Sequence, residues 1–317
     1  MTAPTHTRLG NSDLAVFPLA LGGNVFGWSA DEAQSFAVLD AFAAAGGNFV
    51  DTADVYSAWV PGNSGGESET VLGKWIAARG NRADVVVATK IGSHPEFKGL
   101  KAQNVAAAAE ASLRRLGTDH IDLLYTHYDD ESTPVEEIIT ALDTLVRAGK
   151  VRHIAASNIS AARLAASLDF SDREGLARYV ALQPHYNLVS RDTYEGELAD
   201  TAARYGLSAV PYFGLASGFL TGKYRLGGAA VDSVRAAGAA KHLQTPRGLK
   251  VLEALDTVAA NHDAEQATVA LAWLLAQPTV TAPIASARTV EQLPALVAVA
   301  DLTLSEAELK LLNDASA

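Results

Sequence analysis

From residue 19 onward the sequence repeats one unit: a short apolar run, a polar turn, then a longer stretch with helical periodicity. The apolar runs fall at 19–21, 48–50, 84–89, 121–125, 151–156, 179–182, 208–211 and 280–284. Helical stretches fall between them at 31–45, 67–79, 104–116, 134–147, 161–168 and 193–205, then at 247–261, 264–277 and 290–300. Gly46, Gly80, Gly117, Gly149 and Gly206 stand just past helical stretches, where a left-handed residue ends a helix. Runs that are apolar on both faces suit parallel strands covered by helices. Eight of them in regular alternation predict an α/β fold, a (β/α)8 TIM barrel. The competing architecture is an open doubly wound sheet, but the first run ends in GGNVFG, which is not the G-x-G-x-x-G fingerprint.

The ends of the chain add to this plan. Two short runs flank Gly10-Asn11-Ser12-Asp13, a turn-rich linker that predicts an N-terminal β-hairpin. Ser305-Glu306-Ala307-Glu308 resembles a capping box and predicts a terminal helix, one of several extra C-terminal helices. Residues 214–248 are Gly-rich and irregular, as expected of a lid or binding loop. A length of 317 residues, with 49% hydrophobic and 19% charged, suits a single barrel domain over 1–317 with a sizeable core.

Composition narrows the function classes. The net charge of −11 argues against a general nucleic-acid binder or a binder of anionic membranes, while leaving room for a local basic pocket. With no cysteine, disulfides, thiolate catalysis and Cys-ligated metals are excluded. The eight histidines lack spacings such as H-E-x-x-H, so no metal is expected. No signal-peptide h-region and no run of about 18 apolar residues is found, and a soluble cytoplasmic protein is expected. The oligomeric state leaves no signal.

In a (β/α)8 barrel the reactive groups sit at the C-terminal strand ends. Those ends carry Asp51, Asp54 and Tyr56 after the second strand, Lys90 after the third and His127 after the fourth. Ser157 and Asn158 follow the fifth, Gln183 the sixth, Tyr212 the seventh, Ser286 and Arg288 the eighth. Each alone has a plainer reading: Asp51 as a helix cap, Lys90 as a solvated lysine, His127 as a structural histidine. A polar, chemically capable group at every strand end is what points to a catalytic face.

The segments NFVDTADVYS, GGESETVLGKWI, VVVATKIG, HIDLLYTHYDD, GKVRHIAASN, LQPHYNLVSR, GFLTGKY and ARTVEQL, with RLGNSDLAVFPLALGG before them, resemble the aldo-keto reductase family over nearly the full length. The resemblance implies NADPH-dependent reduction of an aldehyde or ketone. Tyr56 would be the general acid, with Lys90 lowering its pKa, Asp51 pairing Lys90, and His127, protonated or neutral, orienting the carbonyl. Ser157, Asn158 and Gln183 would hold the carboxamide of the nicotinamide, Tyr212 would stack on its ring, and Gly23 and Asn24 would lie alongside. Phe213, Gly214, Leu215, Ser217, Gly218 and Lys223 would cover the pyrophosphate. Ile284, Ser286, Arg288 and Gln292 would take the adenosine end, favouring NADP over NAD through a 2′-phosphate. Phe26, Trp28, Trp59 and Tyr128 would line the substrate pocket. The chain departs from the family pattern at Phe213-Gly214, where Ser-Pro is common, and at Pro294, Ala295 and Leu296, where an acidic residue and Asn commonly meet adenine. Two other functions fit the same strand ends: a Schiff-base lyase using Lys90, and a cofactor-binding regulatory subunit.

Overall fold

The computed structural model describes residues 6–229, 231, 233 and 235–317. Strands β1 (Thr7–Arg8) and β2 (Ala15–Val16) form an antiparallel hairpin. The chain then alternates through β3 (Ala20–Gly22), α1 (Glu32–Ala44), β4 (Phe49–Asp51), α2 (Glu67–Arg79), β5 (Val86–Ile91) and α3 (Ala102–Leu116). It continues through β6 (Ile121–Thr126), α4 (Val135–Arg147), β7 (Val151–Ser157), α5 (Ala161–Glu174), β8 (Tyr179–Gln183), α6 (Glu197–Arg204) and β9 (Ser208–Ala209). The last part holds α7 (Ala236–Ala240), α8 (Pro246–His262), α9 (Gln266–Leu275), β10 (Ile284–Ala285), α10 (Pro294–Val297) and α11 (Glu306–Ser316).

The eight strands β3 to β10 pair in parallel in the order β10-β3-β4-β5-β6-β7-β8-β9. The remaining seam is closed by backbone bonds: Ala209 N–H to Thr279 O (2.7 Å), Thr281 N–H to Ala209 O (3.0 Å) and Ile284 N–H to Pro211 O (2.8 Å). The result is the (β/α)8 fold that the alternation predicts. Strands β5 and β6 are buried at every position, as parallel strands under helices should be. Asp31 caps α1 in a capping box with Gln34, and Ser305 does the same for α11 with Glu308. Among the described residues no helix is long and apolar enough to cross a membrane.

The core has two shells. The larger lies between sheet and helices and includes Leu39, Leu72, Leu124, Leu182, Leu255 and Trp273. The smaller fills the barrel interior with Phe49, Val86, Leu123, Tyr125 and Val180, and Leu9, Leu14 and Val16 of the hairpin join it. The hairpin is therefore the floor of the barrel, and burying each of its leucines contributes about 1.5–3 kcal/mol. Gly10 makes this docking fit. Its φ is +52°, and a Cβ there would run into the Val180 carbonyl oxygen, so a side chain is excluded twice over.

Several boundaries differ from the sequence reading, each with a local cause. Helix α5 runs to Glu174, beyond 168, until Gly175 ends it in a left-handed turn. Helix α6 starts only at Glu197 because Gly196 sits at φ 93°, ψ −137°. The strand expected at 280–284 shrinks to β10, since Pro283 has no N–H for the ladder, and Val280 makes a single bridge to Ala209. The helix expected over 290–300 divides into a 3-10 turn (Val290–Gln292), α10 starting at Pro294, and another 3-10 turn (Ala298–Asp301). The lid segment 214–248 is partly regular, with a 3-10 turn at Ala216–Thr221, then α7 and the start of α8.

Candidate active site

Lys90 is fully buried one residue before the end of β5, inside the strand and not beyond it. Its ammonium donates to Asp51 Oδ2 (2.6 Å), to the Thr52 carbonyl (2.8 Å) and to the Tyr56 hydroxyl (3.0 Å), which uses all three N–H groups. The other oxygen of Asp51 accepts from Gln183 Nε2 at 2.9 Å. These groups meet because the segment after β4 stays stitched to β5: Thr52 N–H bonds Ala88 O, and Asp54 N–H bonds Lys90 O. Beyond that stitch Ser57 adopts φ 72° and anchors its hydroxyl on the Phe26 carbonyl at 2.9 Å, setting Tyr56 at the barrel mouth.

The electrostatics correct one expectation. Burial pushes the Tyr56 phenol above its ordinary pKa; the Lys90 ammonium works against this, and Asp51 reinforces it. Lys90 thus lowers the phenol's pKa as expected but does not bring it below normal, because burial first and Asp51 second outweigh it. Burial also pulls on the ammonium of Lys90, but Asp51 and Tyr56 outweigh it and hold the group charged. His127 follows β6, with its ring 6.0 Å from that of Tyr56 at an interplanar angle of 76°. Burial first and the Lys90 charge second lower its pKa to about 3, so the imidazole is neutral near pH 7. Its Nδ1 is buried with no hydrogen-bond partner among the described residues.

Ser157, Asn158 and Tyr212 form one connected wall. Ser157 Oγ donates to the Gln183 carbonyl (2.8 Å), and Asn158 Nδ2 donates to the His127 carbonyl (2.8 Å) and to Ser157 Oγ (3.1 Å). The Tyr212 hydroxyl donates to Asn158 Oδ1 at 2.8 Å, and His185 stacks on the Tyr212 ring at 5.4 Å and 17°. Asn158 holds φ at +48° to take part, a conformation uncommon outside glycine. From here the cavity, about 940 Å³, extends past Phe213, Gly214, Leu215, Ser217 and Gly218 to Lys223, and past Ile284 and Ser286 to Arg288 and Gln292. Phe213, Ala216 and Ser217 all have positive φ, in a tight turn closed by Ala216 N–H to Phe213 O (2.7 Å) and Gly218 N–H to Leu215 O (2.8 Å). Ser286 Oγ donates to Asn24 Oδ1 at 2.6 Å, and the Gln292 amide accepts from Arg288 N–H at 2.9 Å. Burial first and the nearby Arg288 charge second lower the Lys223 pKa. The helix-terminus contribution expected near Arg288 is weak, since only a 3-10 turn and a four-residue helix follow it.

Two expected wall residues lie underneath. Phe26 is fully buried in the outer core, and Gly23 is enclosed by Ser68, Phe26 and the Asp51 carbonyl, so Gly22 lines the cavity in its place. Trp28, Trp59 and Tyr128 do line the mouth, with Trp59 edge-on to both Trp28 (5.4 Å) and Tyr56 (6.1 Å). Ala295 and Leu296 line the far end. Asp54 turns away from the cavity and is fully buried beside Glu69. Several lining residues escaped the sequence reading, among them Gly22, Ser29, Ser93, Glu265 and Arg235, the last with its guanidinium 5.7 Å from the Trp28 ring centroid. A single arginine in an Ala- and Gly-rich stretch has no spacing to reveal it.

Comparison with known proteins bears on the chain as a whole. A model of the Aldo/keto reductase family matches residues 18–317. The chain is 36% identical to "Uncharacterized oxidoreductase YrpG" of Bacillus subtilis, covering 98% of this chain and 95% of that one. It is 34% identical to "Norsolorinic acid reductase stcV" of Emericella nidulans, over 95% of this chain and 78% of the relative. It is also 33% identical to "Probable voltage-gated potassium channel subunit beta" of Oryza sativa subsp. japonica, over 94% and 93%.

Proposed function

The chain belongs to the aldo/keto reductase family, and from that premise we propose that it reduces an aldehyde or ketone to the alcohol with NADPH as cofactor. The observation that carries this reading is the three-way contact of Lys90 with Asp51, the Thr52 carbonyl and the Tyr56 hydroxyl at the base of a long cavity. The donor chemistry of that cavity suits a nicotinamide dinucleotide phosphate. Amide and hydroxyl groups of Asn158, Ser157 and Gln183 stand at the barrel centre beside the flat Tyr212 ring, and the cations Lys223 and Arg288 stand at the other end. Those two cations favour NADP over NAD, since a 2′-phosphate pairs with a guanidinium through charge-assisted hydrogen bonds.

When bound, the cofactor supplies the hydride. The chain supplies the proton and the orientation. A carbonyl oxygen held between Tyr56 and neutral His127 accepts one imidazole N–H, and the Tyr56 hydroxyl transfers its proton to that oxygen as the alkoxide forms. The phenolate left behind faces the Lys90 ammonium, whose charge is fixed by Asp51 and by the carbonyl of Thr52. Solvent at the mouth then returns the proton. A Schiff-base role for Lys90 is disfavoured, because all its N–H groups are engaged and its neighbours keep it charged.

The similarity to a potassium channel beta subunit favours a second reading, in which cofactor occupancy is itself the signal. Turnover separates the two. Purified protein should oxidise NADPH when given simple aldehydes, and Tyr56→Phe should lose about 10²–10⁴-fold in kcat with NADPH binding kept. Wild-type protein that binds NADPH yet reduces no carbonyl compound would favour the regulatory reading. Full activity in Tyr56→Phe would remove Tyr56 as the acid.

A further inference from the structure

Behind the Tyr212 ring stands a histidine that the reaction as proposed does not use. Tyr212 lines the cavity and His185 does not, and their rings stack at 5.4 Å between centroids with 17° between the planes. The phenol ring is therefore a partition, with the cavity on one side and an imidazole on the other. The backbone fixes this stack. Residues 185 and 212 form a parallel bridge, Tyr212 N–H bonds the Pro184 carbonyl at 2.9 Å, and the Thr193 hydroxyl donates to the His185 carbonyl at 2.6 Å. Phe213 meets the imidazole edge-on at 5.5 Å, and the Tyr212 hydroxyl is tied to Asn158. The charge of His185 answers to its own surroundings. Burial lowers its pKa most, Asp192 raises it, and His242 lowers it. Asp192 is shared with Arg247 of α8 at 3.9 Å, and His242 packs on Phe219. His185 is only half-buried, so solvent protons reach it. It is neutral at pH 8 and gains charge as the medium turns acidic.

An oxidised nicotinamide ring carries a positive charge, and a reduced one carries none. Resting on the reading above, in which the nicotinamide lies against Tyr212, we infer that His185 is a positioning residue acting through Tyr212, and that its protonation disfavours the oxidised cofactor relative to the reduced one. The neutral imidazole is a flat backing for the phenol ring and treats both forms alike. The imidazolium places a unit charge behind that ring, where it repels a cationic nicotinamide on the other face and leaves a neutral one almost untouched. It also competes for the π electrons of the phenol, which a cation on the cavity side would otherwise use. Acid thus favours release of the cofactor that has given up its hydride.

The test measures dissociation constants for NADPH and NADP+ from pH 8 to pH 5.5 by fluorescence. In wild type the ratio of the NADP+ constant to the NADPH constant should rise by about 2- to 5-fold over that range, the effect of one screened charge on another across an aromatic ring. Titration of the 2′-phosphate is common to both forms and drops out of the ratio. His185→Phe keeps a stacked ring without a titratable group. Its ratio should not change with pH, and both affinities at pH 8 should match wild type. The coupling is reciprocal, so the wild-type His185 imidazole, followed by NMR, should titrate about 0.3–0.7 pH unit lower with NADP+ bound than with NADPH. That measurement needs no variant. A flat wild-type ratio, with His185 titrating alike in both complexes, would overturn the inference and leave the cofactor reading standing. So would a slope that survives in His185→Phe, or a variant that weakens both forms alike at pH 8, the mark of a purely structural ring. Failure of both forms to bind wild type would remove the cofactor reading, and the inference with it.

Discussion

Asp54 carries an energetic burden that can be measured. It is fully buried three residues after Asp51, and neither of its side-chain oxygens makes a hydrogen bond of normal geometry among the described residues. Its neighbour Glu69 takes the available donors, with Thr89 Oγ1 at 2.5 Å and Arg115 Nε at 2.6 Å. Burial first and the Glu69 charge second raise the Asp54 pKa from 3.8 to about 7, against smaller opposing effects of Arg115 and the N–H groups of Gly92 and His94. Between those two values the native state keeps a proton that the unfolded chain has released. Stability therefore falls as pH rises through this window, and the loss is complete above about 7. At about 1.4 kcal/mol per pH unit, the full cost of the ionised carboxylate is on the order of 4 kcal/mol. Asp54→Asn removes the charge and keeps the shape. Urea unfolding followed by tryptophan fluorescence should show the variant gaining on wild type by about 2–3 kcal/mol between pH 5 and pH 8, with no further gain above. Effects of other titrating groups cancel in the difference. A difference that stays flat with pH within about 0.5 kcal/mol would refute the reasoning.

The same geometry sets other expectations. Lys90→Met leaves Asp51 as a buried, uncompensated charge and should lower stability by about 3–5 kcal/mol, read by chemical denaturation, as well as abolishing turnover. If Tyr56 is the acid, the pH profile of kcat/KM for reduction should be level between about pH 6 and 9, since the His127 pKa is lowered to about 3 and the Tyr56 phenol ionises only above its ordinary pKa. A break near pH 7 that persists in Asp54→Asn would contradict the neutral imidazole. Gly10→Ala forces a methyl group against the Val180 carbonyl oxygen in a left-handed turn and should cost about 1–3 kcal/mol, visible as a lower Tm with catalytic constants intact. Arg288→Ala should weaken NADPH binding and spare NADH, measured by fluorescence titration, if Arg288 takes the 2′-phosphate.

The sequence is most legible where geometry repeats. Gly80 and Gly117 end their helices in the left-handed conformation as expected, and Lys90, Asp51 and Tyr56 meet because parallel strands deliver their ends to one rim. It is least legible where a single residue overrides a period. Pro294 interrupts an apolar stretch that otherwise reads as one helix, and α5 continues through Asp169-Phe170-Ser171-Asp172 with the two aspartates exposed and Ser171 buried. Local charge balance is hidden as well. Lys90 next to a phenol suggests a depressed pKa, but burial and Asp51 enter the sum only once the side chains are in three dimensions. Asp54 and Arg235 carry no spacing signal; only the structure shows the one buried beside Glu69 and the other over the Trp28 ring.

The hairpin that seals the barrel sets a schedule for the growing chain. Gly10 N–H bonds the hydroxyl of Ser208, 198 residues later, and the leucines beside it rest on strands made long after them. As the protein is synthesised, β1 and β2 leave the ribosome before β8 and β9 and cannot complete their packing until those strands have followed. Through the 198 residues that separate Gly10 from Ser208 these leucines stay without their final partners, an interval in which chaperones or proteases can reach them. Substitutions in the opening hairpin should therefore register in yield from cells before they register in any property of the finished enzyme.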